Sequence, residues 1–101
     1  MPLSFAERLE RDLADTKLTA DARAAVDGWL KADREFNVWF LDTTKRALAD
    51  EELTALLDGY QESQEVVSNA WEAFEADGDT ALLQAGIAES IDRMKLLRER
   101  T

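Results

Sequence analysis

Apolar side chains recur every three or four residues along almost the whole chain. This spacing places them on one face of an α-helix, whereas a half-buried β-strand needs them at every second position. Residues that break helices are scarce, because the 101 residues include only one Pro and four Gly. We therefore predict an all-α fold built from long amphipathic helices.

Four helical segments follow one another within a single domain of residues 1–101. Thr19, Asp50 and Asp79 each offer a side-chain oxygen that can cap the start of a helix. Gly78 suits the left-handed conformation that ends one. These signals predict helices over about residues 4–15, 20–48, 51–76 and 80–99. Because the connections are short, we expect an antiparallel up-down bundle of three long helices, with the short N-terminal helix packed against them.

The apolar faces of these helices form the predicted core. In the second helix, Trp29, Phe36 and Trp39 follow the three-four spacing of a bundle seam. Gly28 and Gly59 lie inside predicted helices, where close approach of another helix is the expected reason for a glycine. The other predicted core residues are Ala6, Leu9, Leu13, Ala22, Ala25, Ala32, Leu53, Leu56, Leu57, Tyr60, Val67, Ala70, Trp71, Phe74, Leu83, Ile87, Ile91, Met94 and Leu97.

The segment 36–41 departs from this amphipathic pattern, because five of its six residues are apolar and point around the whole helix. A helix that is apolar on all sides is usually surrounded by other helices. The alternative is that one side, with Trp39 and either Val38 or Leu41, faces a partner or a second subunit, since aromatic residues often anchor interfaces. The sequence leaves both interpretations open.

The chain contains no Cys and no His. Disulfides, thiol catalysis, ordinary zinc sites and His-assisted nucleophiles are therefore excluded. No segment approaches the ~20 apolar residues of a membrane span, and the first residues do not resemble a signal peptide. We expect a cytoplasmic protein, of bacterial or phage origin, that does not bind a membrane.

Acidic charge is concentrated in one part of the chain. There are 22 Asp and Glu against 12 Lys and Arg, which gives a formal net charge of −10. Residues 1–46 contain nine acidic and eight basic residues, 47–92 contain twelve and none, and 93–101 contain one and four. In an antiparallel hairpin the basic end of the fourth helix would lie beside acidic residues 50–52, and we expect these charges to neutralise each other.

The third predicted helix has a row of carboxylates opposite its apolar face. A charge row of this kind is commonly just a solvated surface. It can also bind a basic surface of a partner protein, because focused charge accelerates association. We predict a small non-catalytic inhibitor or adaptor without a cofactor, whose partner surface can be one that binds nucleic acid. Nucleic acid itself is not an expected ligand, since its phosphates would be repelled. The residues predicted to make the contact are Asp58, Glu62, Glu65, Glu72 and, as an apolar anchor, Trp39.

A second group of carboxylates suggests an enzyme. The segment Gln61-Glu62-Ser63-Gln64-Glu65 is followed on the next helix by Glu89-Ser90-Ile91-Asp92. These segments resemble the Glu-Glu-x-x-Glu and Glu-x-x-Asp motifs of the all-α nucleotide pyrophosphohydrolases (the MazG-like group), with Gln61 replacing the first Glu. The resemblance covers less than half of the chain. It implies Mg²⁺-dependent hydrolysis, because oxygen ligands suit Mg²⁺ and the bound metal activates water. The metal ligands it implies are Glu62, Glu65, Glu89 and Asp92. A third alternative is a structural bundle that associates with itself, for example as a homodimer.

Overall fold

The computed structural model describes residues 5–44 and 49–100. These residues contain no β-strand and form four α-helices: α1 (Phe5–Asp15), α2 (Ala20–Thr44), α3 (Asp50–Asp77) and α4 (Thr80–Arg100). The predicted all-α bundle is confirmed. The predicted helix positions at residue 4 and at 45–48 lie outside the described residues, and every other predicted boundary is within one residue of the observed one. None of the described helices has both the length and the apolar character needed to cross a bilayer.

Two of the predicted capping residues begin helices as expected. Thr19 Oγ1 accepts a hydrogen bond from the backbone N–H of Ala22 at 3.2 Å, and Asp79 Oδ1 accepts one from the first turn of α4 at 3.0 Å. Gly78 has a left-handed backbone (φ 69°), and its N–H bonds to a carbonyl in the last turn of α3 at 2.7 Å. The sharp turn between α3 and α4 is therefore fixed by local sequence.

The N-cap of α3 is Ala49, and the prediction that Asp50 caps this helix was wrong. The backbone N–H of Leu53 bonds to the carbonyl of Ala49 at 3.0 Å, so helical bonding begins one residue earlier than predicted. Ala49 provides no side-chain cap. Asp50 instead joins Glu51 and Glu52 in the first turn, where the helix dipole favours negative charge.

The helices α3 and α4 form a close antiparallel hairpin. Gly59 near the start of α3 lies against Leu97 near the end of α4, and Gly86 lies against Ala70. A Cβ on Gly86 would stand only 2.6 Å from the Cβ of Ala70, so the two helices approach closely there. By contrast, Gly28 is exposed and has nothing within 4 Å of a Cβ position, so the close contact predicted for it is absent.

The helix α2 packs against α4 in the same direction. Trp29 Nε1 donates a hydrogen bond to the buried Ser90 Oγ at 2.9 Å, and ten residues later Trp39 contacts Arg98. This parallel pair and the antiparallel α3–α4 hairpin are what an up-down bundle requires. The predicted core residues that are buried are Leu9, Leu13, Ala22, Trp29, Phe36, Leu56, Val67, Ala70, Trp71, Leu83, Ile87 and Met94. The prediction was wrong for Leu57, which is 47% exposed because it lies on the side of α3 turned away from the core.

Candidate functional site

The carboxylates predicted to bind a partner lie on one side of α3. At 3.6 residues per turn, they fall within an arc of about 80°. The buried residues Leu56 and Val67 point to the opposite side, toward the core. The row is therefore a single continuous acidic face. Its exposed members are Asp58, Glu62, Glu65 and Glu72.

A groove between α3 and α4 extends this acidic face onto the second helix of the hairpin. It has a volume of ≈ 780 Å³. Asp58 and Glu62 line it from α3, and Glu89 and Asp92 line it from α4, together with apolar residues that include Leu96. The row on α3 was predicted from the sequence, whereas its continuation by the α4 carboxylates depends on how the two helices pack.

Arg93 is the basic side chain that the hairpin brings into this groove. Its Nη1 lies 3.5 Å from Glu62 Oε2, and its Nη2 lies 3.2 Å from Glu89 Oε1. Arg93 is therefore neutralised within the hairpin, as predicted for the basic end of α4, but its partners are Glu62 and Glu89 and not residues 50–52, because its position along α4 brings it opposite Glu62. All three side chains are exposed, and exposed ion pairs contribute only about 0–1 kcal/mol. The guanidinium can therefore be displaced by another cation at small cost.

Three of the four carboxylates proposed as Mg²⁺ ligands, Glu62, Glu89 and Asp92, line this groove, but they are not arranged to hold a metal ion. The guanidinium of Arg93 lies between Glu62 and Glu89, and Glu65 lies on the exposed face outside the groove lining. Across residues 5–44 and 49–100, no group of three or more Asp and Glu side chains is arranged to hold a metal ion. These residues do not fit the metal site that the resemblance implies.

A partly buried polar cluster joins α2 to α3, and sequence reasoning did not identify it. The hydroxyl of Tyr60 donates to Asp33 Oδ1 at 2.6 Å and accepts hydrogen bonds from Asn37 Nδ2 at 3.1 Å and Gln64 Nε2 at 2.7 Å. Asp33 is only 4% exposed. The one signal in the sequence was its position four residues after Trp29, on the side of α2 that faces the core.

Burial controls the ionisation of this cluster. It raises the pKa of Asp33 above its ordinary value, and the hydrogen bonds from Tyr60 and Gln64 offset part of that shift. The pKa of Tyr60 is raised by its own burial and by the adjacent Asp33 carboxyl. The ring of Tyr60 also stacks on Phe36, with the ring centroids 4.9 Å apart. The cluster therefore links two helices through polar and aromatic contacts together.

Trp39, the predicted apolar anchor, is half-buried. Its ring packs on Phe36 at a centroid distance of 5.4 Å, and the guanidinium carbon of Arg98 lies 5.7 Å from its centroid. The strongly exposed apolar residues of this segment are its neighbours Val38 and Leu41, at 70% and 63% exposure. One side of the apolar segment 36–41 is thus left open to solvent.

The chain matches no family model, no curated protein sequence and no solved structure.

Proposed function

We propose that this protein is a small, non-catalytic interaction module that places its acidic α3–α4 hairpin on a basic surface of a partner protein. It acts as an inhibitor or adaptor by covering Lys and Arg side chains that would otherwise meet a polyanion such as nucleic acid. The contact is made by Asp58, Glu62, Glu65 and Glu72 of α3. Glu89 and Asp92 extend it on α4.

The observation that supports this proposal is the continuous acidic face. Four exposed carboxylates share one side of α3, and two more line the adjoining groove from α4. The segment 47–92 contains twelve acidic residues and no basic residue, and Arg93 from just beyond it bridges Glu62 and Glu89 with a single positive charge that offsets only part of this field. A field of one sign attracts an oppositely charged partner over several ångströms and increases the association rate.

The groove also gives the acidic face a way to bind individual cations. Arg93 already spans Glu62 and Glu89 through exposed ion pairs. A Lys or Arg side chain of the partner can take the same position, because exchanging one exposed ion pair for another costs little. Apolar residues beside the carboxylates, such as Leu96, would cover the aliphatic stem of that side chain.

Magnesium-dependent nucleotide hydrolysis and a purely structural role are the two other functions that the sequence suggests. No arrangement within the described residues favours the enzyme, because the carboxylates that it needs form no group that could hold a metal ion and Arg93 bridges two of them. Release of pyrophosphate from a panel of nucleoside triphosphates with Mg²⁺, lost in Glu62→Gln, would replace the docking proposal with the enzymatic one.

The proposal is tested by affinity capture from nuclease-treated lysate, followed by calorimetry with each purified partner. The test variant combines Glu62→Lys with Glu65→Lys. The matched control combines Glu10→Lys with Asp21→Lys, which changes the net charge equally at exposed positions on α1 and α2, outside the hairpin. We expect the wild type and the control to bind and the test variant to lose at least about tenfold in affinity.

Ionic strength provides a second readout for the same complexes. Binding should weaken steeply between about 50 mM and about 200 mM NaCl, because the Debye length shortens across this range. Added double-stranded DNA should compete for the partner. Equal loss of binding in the two charge variants would show that net charge, not the acidic face, determines capture, and the proposal would then be wrong.

A further inference from the structure

A second surface lies on the solvent side of α2, away from the acidic hairpin face. Val38 and Leu41 are the most exposed large apolar residues in the described part of the chain. They lie on the side of α2 opposite the buried Trp29 and Phe36. Two exposed aliphatic side chains one turn apart form an apolar patch that the fold itself does not cover.

The two charged residues that flank this patch have opposite signs, so two copies of the patch can pair with each other. Arg34 lies one turn before Val38 and Asp42 lies one turn after it, and both are exposed. When a second α2 is laid antiparallel across the first with its two-fold axis at Val38, Arg34 of each copy meets Asp42 of the other. A parallel pair would place like charges together instead. Charge complementarity therefore selects an antiparallel pair with two identical contacts.

The residues that lie between Arg34 and Asp42 along α2 also fit this antiparallel geometry. Val38 meets its own copy at the two-fold axis, and Leu41 lies opposite Glu35, whose methylene groups can cover it. Trp39 and Arg98 complete the lining of the depression beside the patch. The aromatic ring thus contributes to the edge of the contact even though it is half-buried.

The distribution of net charge favours self-association through α2 over self-association through the α3–α4 hairpin. Residues 1–46, which include α2, hold nine acidic and eight basic residues and are nearly neutral. Two copies meeting through the α3–α4 hairpin would instead bring together two strongly acidic surfaces, because residues 50–100 of each copy hold thirteen acidic and four basic residues. Repulsion of that kind costs much more than contact between nearly balanced surfaces.

We propose that two copies of this chain associate through the exposed face of α2, as an antiparallel two-fold pair centred on Val38 and held in register by Arg34 and Asp42. The patch is small, so the dimer is weak, with a Kd in the micromolar range or above. This inference does not depend on the docking function of the acidic hairpin, and either can be wrong while the other stands.

Analytical ultracentrifugation between about 1 µM and about 500 µM tests the dimer directly. The wild type should shift from monomer to dimer across this range, and Val38→Asp should remain monomeric. Leu82→Asp is the matched control, because it places the same charge at another exposed apolar residue, at 49% exposure on α4. A wild type that stays monomeric throughout would overturn the proposal, as would dimerisation that Leu82→Asp abolishes and Val38→Asp leaves intact.

Reversal of the charges tests the register of the pair. Arg34→Asp and Asp42→Arg should each weaken the dimer by about tenfold, because each places like charges opposite one another. The double variant Arg34→Asp/Asp42→Arg restores both pairs and should recover dimerisation. Helicity by circular dichroism verifies that each variant is folded. A double variant that is folded but dimerises no more tightly than the single variants would show that these residues do not face each other.

Discussion

At the scale of single residues, Asp33 has the most unusual environment. Its carboxylate lies between α2 and α3 at 4% exposure, and its described hydrogen-bond donors are the Tyr60 hydroxyl and the side-chain amides of Asn37 and Gln64, with no basic side chain among them. Burial without a countercharge raises its pKa, which means that the folded protein holds the proton more tightly than the unfolded chain does. Ionised Asp33 therefore destabilises the fold at neutral pH relative to its protonated form.

Asp33→Asn should reveal this effect as a pH-dependent gain in stability. The amide oxygen can still accept the hydrogen bond from Tyr60, but it cannot ionise. Below the ordinary carboxyl pKa of 3.8 the wild-type side chain is protonated in both states, so the difference in unfolding free energy between the proteins should be constant. As the pH rises through the raised pKa of folded Asp33 toward 7, the wild type should lose stability relative to the variant.

Urea denaturation of both proteins across this pH range measures the difference. Tyr60→Phe is the companion variant, because it removes the hydroxyl that lowers the pKa of Asp33 and should make the loss with rising pH larger. A difference that does not change with pH in either variant would contradict the argument.

Two buried tryptophans differ in the partner of the indole nitrogen. Trp29 Nε1 donates to Ser90, whereas Trp71 Nε1 is buried and has no hydrogen-bond acceptor among the described residues. Replacement by Phe removes similar apolar area at both positions but removes a hydrogen bond only at Trp29. We expect Trp29→Phe to cost about 1 kcal/mol more in unfolding free energy than Trp71→Phe. Chemical denaturation compares them, and equal losses would argue against a stabilising Trp29–Ser90 bond.

At the scale of helices, the closeness of α3 and α4 depends on Gly86. A Cβ there would meet the Cβ of Ala70 at 2.6 Å and the carbonyl oxygen of Val66 at 3.4 Å, and neither group can rotate away. We expect Gly86→Ala to destabilise the fold by about 1–3 kcal/mol through overpacking.

Gly28 provides the matched comparison within α2. A Cβ at this position meets nothing within 4 Å, so the substitution only removes the conformational freedom of a mid-helix glycine. Gly28→Ala should stabilise the protein by about 0.5–1 kcal/mol. Thermal unfolding measures the stability of both variants against the wild type. If Gly86→Ala stabilised the protein, α3 and α4 would pack less closely than these distances indicate.

The helices could be predicted from the sequence because their causes are local. The apolar spacing, Thr19, Gly78 and Asp79 each act within a turn or two of themselves. The start of α3 was misplaced because an aspartate suits the first turn almost as well as the N-cap, as Asp50 shows. Gly28 and Gly59 were interpreted alike, although only Gly59 of the two lies against another helix, because the use of a helical glycine depends on which helix lies opposite.

At the scale of the whole molecule, the sequence predicted the acidic row on α3 but not the site it belongs to. Periodicity alone places Asp58 and Glu65 on one face. The presence of Glu89 in the groove and the bridging position of Arg93 both depend on the register of α3 and α4, and residue spacing does not determine that register. The burial of Asp33 escaped prediction for the same reason, since its partner Tyr60 is on another helix.

The uneven charge should also make the fold more stable at high salt. Repulsion among the twelve acidic residues of 47–92 opposes folding, and screening weakens it as the Debye length falls. We therefore expect Tm to rise by a few degrees between about 20 mM and about 500 mM NaCl, measured by circular dichroism at one low protein concentration. The double variant Glu65→Gln/Glu72→Gln removes two charges from the row and therefore part of the repulsion. It should have a higher Tm than the wild type at low salt, and its Tm should rise less as NaCl is added. A Tm that falls with salt would mean that ion pairs such as Arg93–Glu62 outweigh the repulsion, and the acidic face would then lack the strong field on which partner binding depends.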